Sequence, residues 1–171
     1  RRVIRTIGDA YERFGEDYLR MLRAVRFSTQ LGFEIEQRTW AAVRQKAERI
    51  VEISGERICI ELGGILTDVN KARGAGLLIE SGLAEAIFKG YCQQGGTMGP
   101  EVLEQLGGKV SFGLALAGFF AGCSTKFATE ATRILKMSNA ERRHLRFLLE
   151  NRGRLLEADM SKADLRLIGS Q

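Results

Sequence analysis

Proline occurs once in this sequence, at Pro100, histidine once, at His144, and cysteine three times, at Cys59, Cys92 and Cys123. Three widely spaced thiols, odd in number and without a Cys-x-x-Cys pair, suggest neither a disulfide framework nor a zinc site. A lone histidine cannot assemble a His-rich metal centre, so no metal is expected on this chain. No apolar run approaches the ~20 residues of a membrane span, and the N-terminus has no signal-peptide core. These absences predict a cytoplasmic chain with reduced thiols and no membrane partner. The near-absence of proline removes the strongest helix breaker, while abundant Leu, Ala, Glu and Arg lose little rotamer freedom in a helix. The expected fold class is all-α.

What the sequence does have is arginine. The formal charge is +5 and the pI about 9.4, and 19 of the 26 basic residues are Arg. A guanidinium presents a planar fork of donors suited to phosphate or base edges, whereas Lys offers a point charge, so the bias points to a nucleotide or RNA partner. Hydrophobic residues make up 44%, enough to bury a core. The opening on Arg1 rather than Met reads as a fragment of something longer.

Periodicity predicts a first helix over Glu16 to Leu31, with Leu19, Leu22 and Val25 inward and Gly32 just past its end. Phe33 to Glu36 reads as an extended link, and Thr39 as the N-cap of a second helix reaching about Ile53. Ser54 caps a third, to about Thr67, whose Gly63 and Gly64 each cost ~1 kcal/mol against alanine, so a kink or early end is expected. Lys71 to Ser81, closed by Gly82, and Leu83 to Phe88 follow. Gly90 to Pro100 is rich in glycine and glutamine and reads as a flexible connection. Beyond it come helices around Val110 to Cys123 and Lys126 to Met137, then one opened by a capping box, Ser138 with Glu141. Ser161 with Asp164 suggests one more start.

Asp17, Arg20, Arg23 and Arg26 recur every third residue on the first helix, forming a slanting stripe. By spacing alone this is equally a solvated charged face. The surroundings narrow it. Arg5-Thr-Ile-Gly8-Asp9 leads into Arg13-Phe14-Gly15-Glu16-Asp17-Tyr18-Leu19-Arg20-Met21-Leu22-Arg23-Ala24-Val25-Arg26-Phe27. This run resembles the class II tRNA nucleotidyltransferase and bacterial poly(A) polymerase family, whose Glu-Asp-x-x-Arg motif opens a neck helix that continues with arginines at the same step. Ser54-Gly55-Glu56-Arg57-Ile58-Cys59-Ile60-Glu61 is similar to the family's Glu-Arg-x-x-x-Glu motif. The likeness is dense from Arg5 to Leu66, thinner through Arg73-Gly74 and Ser81-Gly82-Leu83, and faint after Gly90. It implies a neck over 1–66 and the start of a helical body over 67–90, while composition sets a linker over 91–100 before a divergent helical region over 101–171.

The resemblance implies that Asp17 and Arg20 read a base. A carboxylate only accepts hydrogen bonds and a guanidinium only donates. Cytosine and adenine both place an amine beside an acceptor ring nitrogen, so Asp17 can take the amine while Arg20 donates to the ring. Uracil and guanine put a carbonyl where the amine would be, leaving acceptor facing acceptor at ~1–3 kcal/mol or more. Arg23 and Arg26 would join the nucleotide pocket, and Glu16 would orient neighbouring arginines. Arg57 and Glu61, an i,i+4 pair, and Glu56, in a positively polarised first turn, read as braces of the neck. Arg13 either contacts the nucleotide or caps the neck.

Nucleotidyl transfer needs carboxylates that hold divalent metal, and the family carries these on an N-terminal head with an Asp-x-Asp pair. No such pair occurs here: Asp9 with Glu12, and Glu34 with Glu36, read as surface acids. Mg2+ is therefore expected through that head, a partner domain, with ATP and CTP as substrates and a tRNA or other RNA 3′ end as acceptor. Arg133 to Arg154 holds seven basic and two acidic residues. Arg142, Arg143 and Arg146 are candidate RNA contacts there, or a solvated face over buried Leu145, Leu148 and Leu149. His144 reads as neither ligand nor acid–base group. The expectation is the nucleotide-selecting, RNA-binding part of a CCA-adding enzyme. Alternatives are part of a poly(A) polymerase, a non-catalytic RNA-binding module, or a helix-turn-helix DNA binder, although Gly32 to Arg38 is long for such a turn.

Overall fold

The computed structural model describes residues 2–152. Among them, ten α-helices and one minimal sheet follow in the order β1 (Val3–Ile4), α1 (Ala10–Glu16), α2 (Leu19–Leu31), β2 (Glu34–Ile35), α3 (Gln37–Lys46), α4 (Gly55–Leu66), α5 (Lys71–Glu80), α6 (Leu83–Ile87), α7 (Gly99–Gln105), α8 (Phe112–Phe119), α9 (Thr125–Ala131) and α10 (Asn139–Glu150). The helical fold class is as expected. The helix start anticipated at Ser161 and Asp164, and Arg154, lie outside the described residues.

The first expected helix starts later, at Leu19, and an unforeseen helix, α1, precedes it. Asp9 caps α1 by accepting from the Tyr11 and Glu12 amides, and the chain leaves the helix at Asp17 with φ −156° and ψ 106°. The Asp17 carboxylate then accepts from the Leu19 amide at 3.0 Å, serving one of the donors that the start of α2 leaves unpaired. At the far end Gly32 adopts φ +65°, the left-handed turn that ends a helix without a Cβ clash. The turn aims Glu34–Ile35 back alongside Val3–Ile4 in parallel, with Val3 opposite Glu34.

Thr39 is not an N-cap: α3 starts two residues earlier, and the Thr39 hydroxyl donates to Glu36 Oε2 at 3.0 Å. The second helix also changes character, Ala47–Glu52 tightening into a 3-10 turn. Ser54 stands at the N-cap of α4, with no side-chain bond to the helix amides.

Contrary to the expected kink, α4 runs unbroken through Gly63 and Gly64. The reason is tertiary. α2 crosses α4 at Gly64, where a Cβ would fall 2.5 Å from Arg26 Cδ. Packing recovers what the glycine loses in propensity. The core beneath is built from Phe14, Met21, Leu22, Val25, Ile58, Leu62 and Ile65, each fully buried.

The 90–100 segment, glycine-rich as it is, folds back as turns and a short 3-10 stretch (Gly96–Met98) rather than spanning freely. Tyr91 is its anchor: fully buried, it stacks on Phe119 with centroids 4.6 Å apart and donates to the Phe119 carbonyl at 2.7 Å. The glycines let backbone approach backbone. A Cβ on Gly122 would overlap the Gly95 carbonyl, and one on Gly99 would fall 2.5 Å from the Phe119 oxygen. Helix α7 was not foreseen; Pro100 opens it at a position where proline costs no hydrogen bond. The capping box of α10 forms as expected, Ser138 accepting from the Glu141 amide while the Glu141 carboxylate accepts from the Ser138 amide.

Candidate functional site

The break between α1 and α2 gathers five of the charged side chains singled out in the sequence: Arg13, Glu16, Asp17, Arg20 and Arg57. Glu16, last in α1, accepts from Arg13 at 2.8 Å and from Arg20 at 2.6 Å. Arg20 also donates to the Arg13 carbonyl at 2.9 Å. The Arg20 hydrogen bond holds the Glu16 carboxyl below its ordinary range. Glu16 thus orients Arg13 and Arg20 together, and Arg13 folds onto its own helix end.

Asp17 faces the other way, across to α4. Its Oδ2 accepts from Arg57 at 2.9 Å while Oδ1 holds the Leu19 amide. Partial burial pushes its carboxyl up, but the Leu19 and Arg57 donors outweigh this and leave it lowered. Arg57 and Glu61 do not pair along their helix. Glu61, 4% exposed, instead reaches α2, 3.2 Å from Arg23 Nε and 2.8 Å from Arg26 Nε. The Arg23 contact is a hydrogen bond, whereas the Arg26 contact is an ion pair whose N–H points off the oxygen. Glu61 is held by the two guanidinium groups that reach it from α2, while Arg57 of its own helix is taken up by Asp17. Glu56 also reaches outward, to Lys136 at 3.1 Å.

The expected stripe is therefore divided. Asp17 lies off α2, held by Arg57; Arg20 turns towards α1; Arg23 and Arg26 turn towards α4. Asp17 and Arg20 still stand one turn apart at the open start of α2, which leaves both partly exposed. Beside them runs a recess of about 190 Å³ bounded by Arg5, Thr6, Phe14, Arg20, Arg23 and Phe27. Arg5 and Phe27 carried no assigned role in the sequence. β1, paired with β2 and packed on α2, brings Arg5 to the same recess as Arg20 and Arg23.

Among the other acids, Asp9 pairs with Arg38 at 2.8 Å and Glu34 with Arg73 at 3.0 Å, while Glu36 accepts from Thr39. Among the described residues no group of three His, Cys, Asp or Glu could hold a metal ion, and no helix is long and apolar enough to cross a membrane. Arg142, Arg143 and Arg146 are exposed on α10, far along the chain from the α1–α2 break. Arg142 donates to Asn139 and Arg146 to Glu150. His144 packs against α8, its ring 2.8 Å from where a Cβ on Gly113 would stand.

Comparison with known proteins follows the same layout. Residues 32–94 match a family described as "Probable RNA and SrmB- binding site of polymerase A". A CCA-adding enzyme of Lacticaseibacillus paracasei is 46% identical over 80 residues, 47% of this chain and 20% of that protein. One from Geobacillus stearothermophilus is 47% identical over 83 residues, 48% of this chain and 20% of its own. The aligned stretch thus spans about a fifth of these relatives. The structure of the Bacillus stearothermophilus CCA-adding enzyme in complex with CTP superposes over 90% of this chain and 39% of that one, with a TM-score of 0.75 and 28% identity. The Thermotoga maritima CCA-adding enzyme complexed with tRNA shares the fold, with a TM-score of 0.62 over 91% of this chain and 40% of its own, at 23% identity. Motif layout, local sequence identity and helical architecture agree in what this chain resembles: part of the helical region of CCA-adding enzymes, within the class II tRNA nucleotidyltransferase and bacterial poly(A) polymerase family.

Proposed function

We propose that this chain selects the incoming nucleotide and contacts the RNA in an enzyme that adds CCA, or AMP, to RNA 3′ ends. The observation that carries the reading is the placement of Asp17 and Arg20 at the open start of α2, each held by one exchangeable charged partner, Arg57 and Glu16. A cytosine or adenine edge would offer Asp17 a donor and Arg20 an acceptor. Arg23 and Arg26, braced by Glu61, and Arg5 across the recess would add contacts to sugar or phosphate. Arg13 would support Arg20 through Glu16.

Transfer itself would need divalent metal, Mg2+ in this reading, to supply charge stabilisation for the triphosphate and lower the pKa of the acceptor hydroxyl. The carboxylates described above are occupied as caps and ion-pair partners, so the proposal assigns metal binding to a separate head domain. This chain's own residues hold and read the base. The relatives crystallised with ATP and with CTP support both nucleotides as substrates. AMP addition alone is the second reading, favoured by the polymerase A description of the matching segment.

Photocrosslinking to labelled CTP, ATP, GTP and UTP tests the assignment. Labelling by CTP and ATP is expected to exceed that by UTP and GTP by about 10-fold, equivalent to ~1.4 kcal/mol, and to lose this preference in Asp17→Ala and Arg20→Ala. Equal labelling by all four nucleotides overturns the base-reading assignment. ATP labelling without CTP labelling decides for AMP addition.

A further inference from the structure

Tyr18 fills a place that the Glu-Asp-x-x-Arg motif leaves open, between the two proposed base readers. The chain re-enters helix there: Tyr18 is the N-cap of α2, with φ −63° and ψ −21°, and its side chain makes no capping bond to the helix amides. The ring is half-buried against the core instead. Two cations lie over it. The Arg49 guanidinium carbon is 5.0 Å from the ring centroid and Lys46 Nζ is 6.0 Å from it.

Both cations are placed by one feature of the fold. α3 ends at Lys46, and the chain tightens into the 3-10 turn Ala47–Glu52. At three residues per turn, side chains three apart eclipse, whereas in an α-helix they would be offset by about 60°. Lys46 and Arg49 therefore line up towards the same ring, and Glu52, three residues on, pairs with Arg49. Lys46 Nζ also stands 3.8 Å from where a Cβ on Gly15 would be, in the last turn of α1. It thus lies against both sides of the break. Consecutive side chains at the break are anchored on separate elements: Asp17 on Arg57 of α4, and Tyr18 on the end of α3 and its 3-10 turn. The Arg20 amide in turn donates to the Asp17 carbonyl at 3.1 Å. A backbone held this way has little freedom to swing, and it sets where the Asp17 carboxylate and the Arg20 guanidinium stand.

We propose that Tyr18, clasped by Lys46 and Arg49, is a positioning residue that fixes the geometry of the Asp17–Arg20 pair and so sharpens base discrimination. It touches no substrate and acts through its neighbours. A single ring–cation contact is equivalent to about 2–5-fold in an equilibrium, so the clasp tunes a preference that Asp17 and Arg20 create. This rests on the reading above, in which those two residues read the base.

The test uses the 171-residue chain and two readouts. One is the CTP-over-UTP ratio in photocrosslinking. The other is the hydrogen-exchange rate of the Leu19 amide, which the Asp17 carboxylate accepts from and so protects; it is read by NMR and corrected for the intrinsic effect of the preceding residue. Tyr18→Leu keeps an apolar side chain but removes the ring. It is expected to cut the ratio about 3–5-fold and to speed Leu19 exchange by a similar factor. Lys46→Gln with Arg49→Gln keeps the ring, removes both charges and should cut the ratio about 2–3-fold. Tyr18→Phe keeps the ring and should retain the wild-type ratio and exchange rate. A ratio and an exchange rate unchanged in both Tyr18→Leu and the double variant overturn the clasp, even if urea titration shows lost stability. So does a Tyr18→Phe variant that behaves as Tyr18→Leu, because the ring face would then not be the cause. If the wild type labels all four nucleotides equally while Tyr18→Leu still speeds Leu19 exchange, the base-reading assignment falls and the positioning of Asp17 by Tyr18 stands.

Discussion

Asp17 is placed by a backbone break and two donors, and this makes its ionisation insensitive to ordinary pH. Its ordinary carboxyl pKa is 3.8, and the Leu19 amide and Arg57 lower it in the fold. A depressed carboxyl contributes stability that is complete above the unfolded value and lost as pH falls through the lower folded one. Base preference is therefore expected to stay flat from about pH 5 to pH 8. A decline already present at pH 6 would mean that another group titrates in the reading step. Arg57 is a positioning residue in this scheme. Arg57→Ala should return the Asp17 carboxyl towards its ordinary range and free it to rotate, cutting the CTP-over-UTP preference about 5-fold, or ~1 kcal/mol. Arg57→Lys should restore part of it, because the charge survives while the fork geometry does not. Asp17 and Arg20 were legible as a pair from their spacing and motif. Their present partners were not, because Arg57 lies 40 positions along the chain from Asp17.

At the scale of elements, the glycines of α4 separate propensity from packing. Gly63 has nothing described within 4 Å of where its Cβ would stand, so Gly63→Ala should stabilise the protein by about 0.5–1 kcal/mol through helix propensity. Gly55 admits no such change: a Cβ there would overlap the carbonyl of Ile134, in the 3-10 turn Thr132–Leu135. Gly55→Ala must push the 132–135 turn off α4 and is expected to cost about 1–3 kcal/mol, with loss of the Lys136–Glu56 contact. Urea titration of both variants checks the opposite signs, and a stabilised Gly55→Ala would contradict the close approach. Sequence periodicity located α2, α4, α5 and α10 well, because each has one clear apolar side. It missed α1 and started α2 three residues early, since Glu16 and Asp17 are compatible with a helix start and only the extended backbone of Asp17 reveals the break. It also missed α7, whose start is marked by Pro100 within a run of glycines.

At the scale of the molecule, Tyr91 joins what composition separates. Its ring lies among Phe88, Phe119 and Phe120, and its hydroxyl caps the end of α8 through the Phe119 carbonyl. Lys71, 1% exposed at the start of α5, donates to the Gly107 carbonyl at 2.8 Å and to the Gly108 carbonyl at 2.5 Å. Both ties cross the 91–100 segment, and the buried residues on either side belong to one continuous cluster. Urea unfolding followed by Trp40 fluorescence and by circular dichroism is therefore expected to give coincident transitions. Two separated transitions would favour the division at 91–100 read from composition. Tyr91→Phe, which leaves the carbonyl unpaired in the core, should lower stability by about 1–2 kcal/mol in both probes.

The sequence by itself determined the helical class, the core-facing sides of the main helices and the family resemblance, because apolar periodicity and short motifs are local properties that side-chain chemistry fixes directly. It also put forward Asp17 and Arg20 as the proposed base readers, since donor and acceptor identity belongs to the residue type. Only the tertiary structure decided how those residues are held: Asp17 by Arg57, Arg20 by Glu16, and Arg23 and Arg26 by a buried Glu61. Such pairings depend on where α2 crosses α4, and that crossing is set by Gly64 yielding space to Arg26 and by a core assembled from distant segments. The seating of the 132–135 turn on α4 has the same origin, a close backbone approach at Gly55 that no local pattern announces.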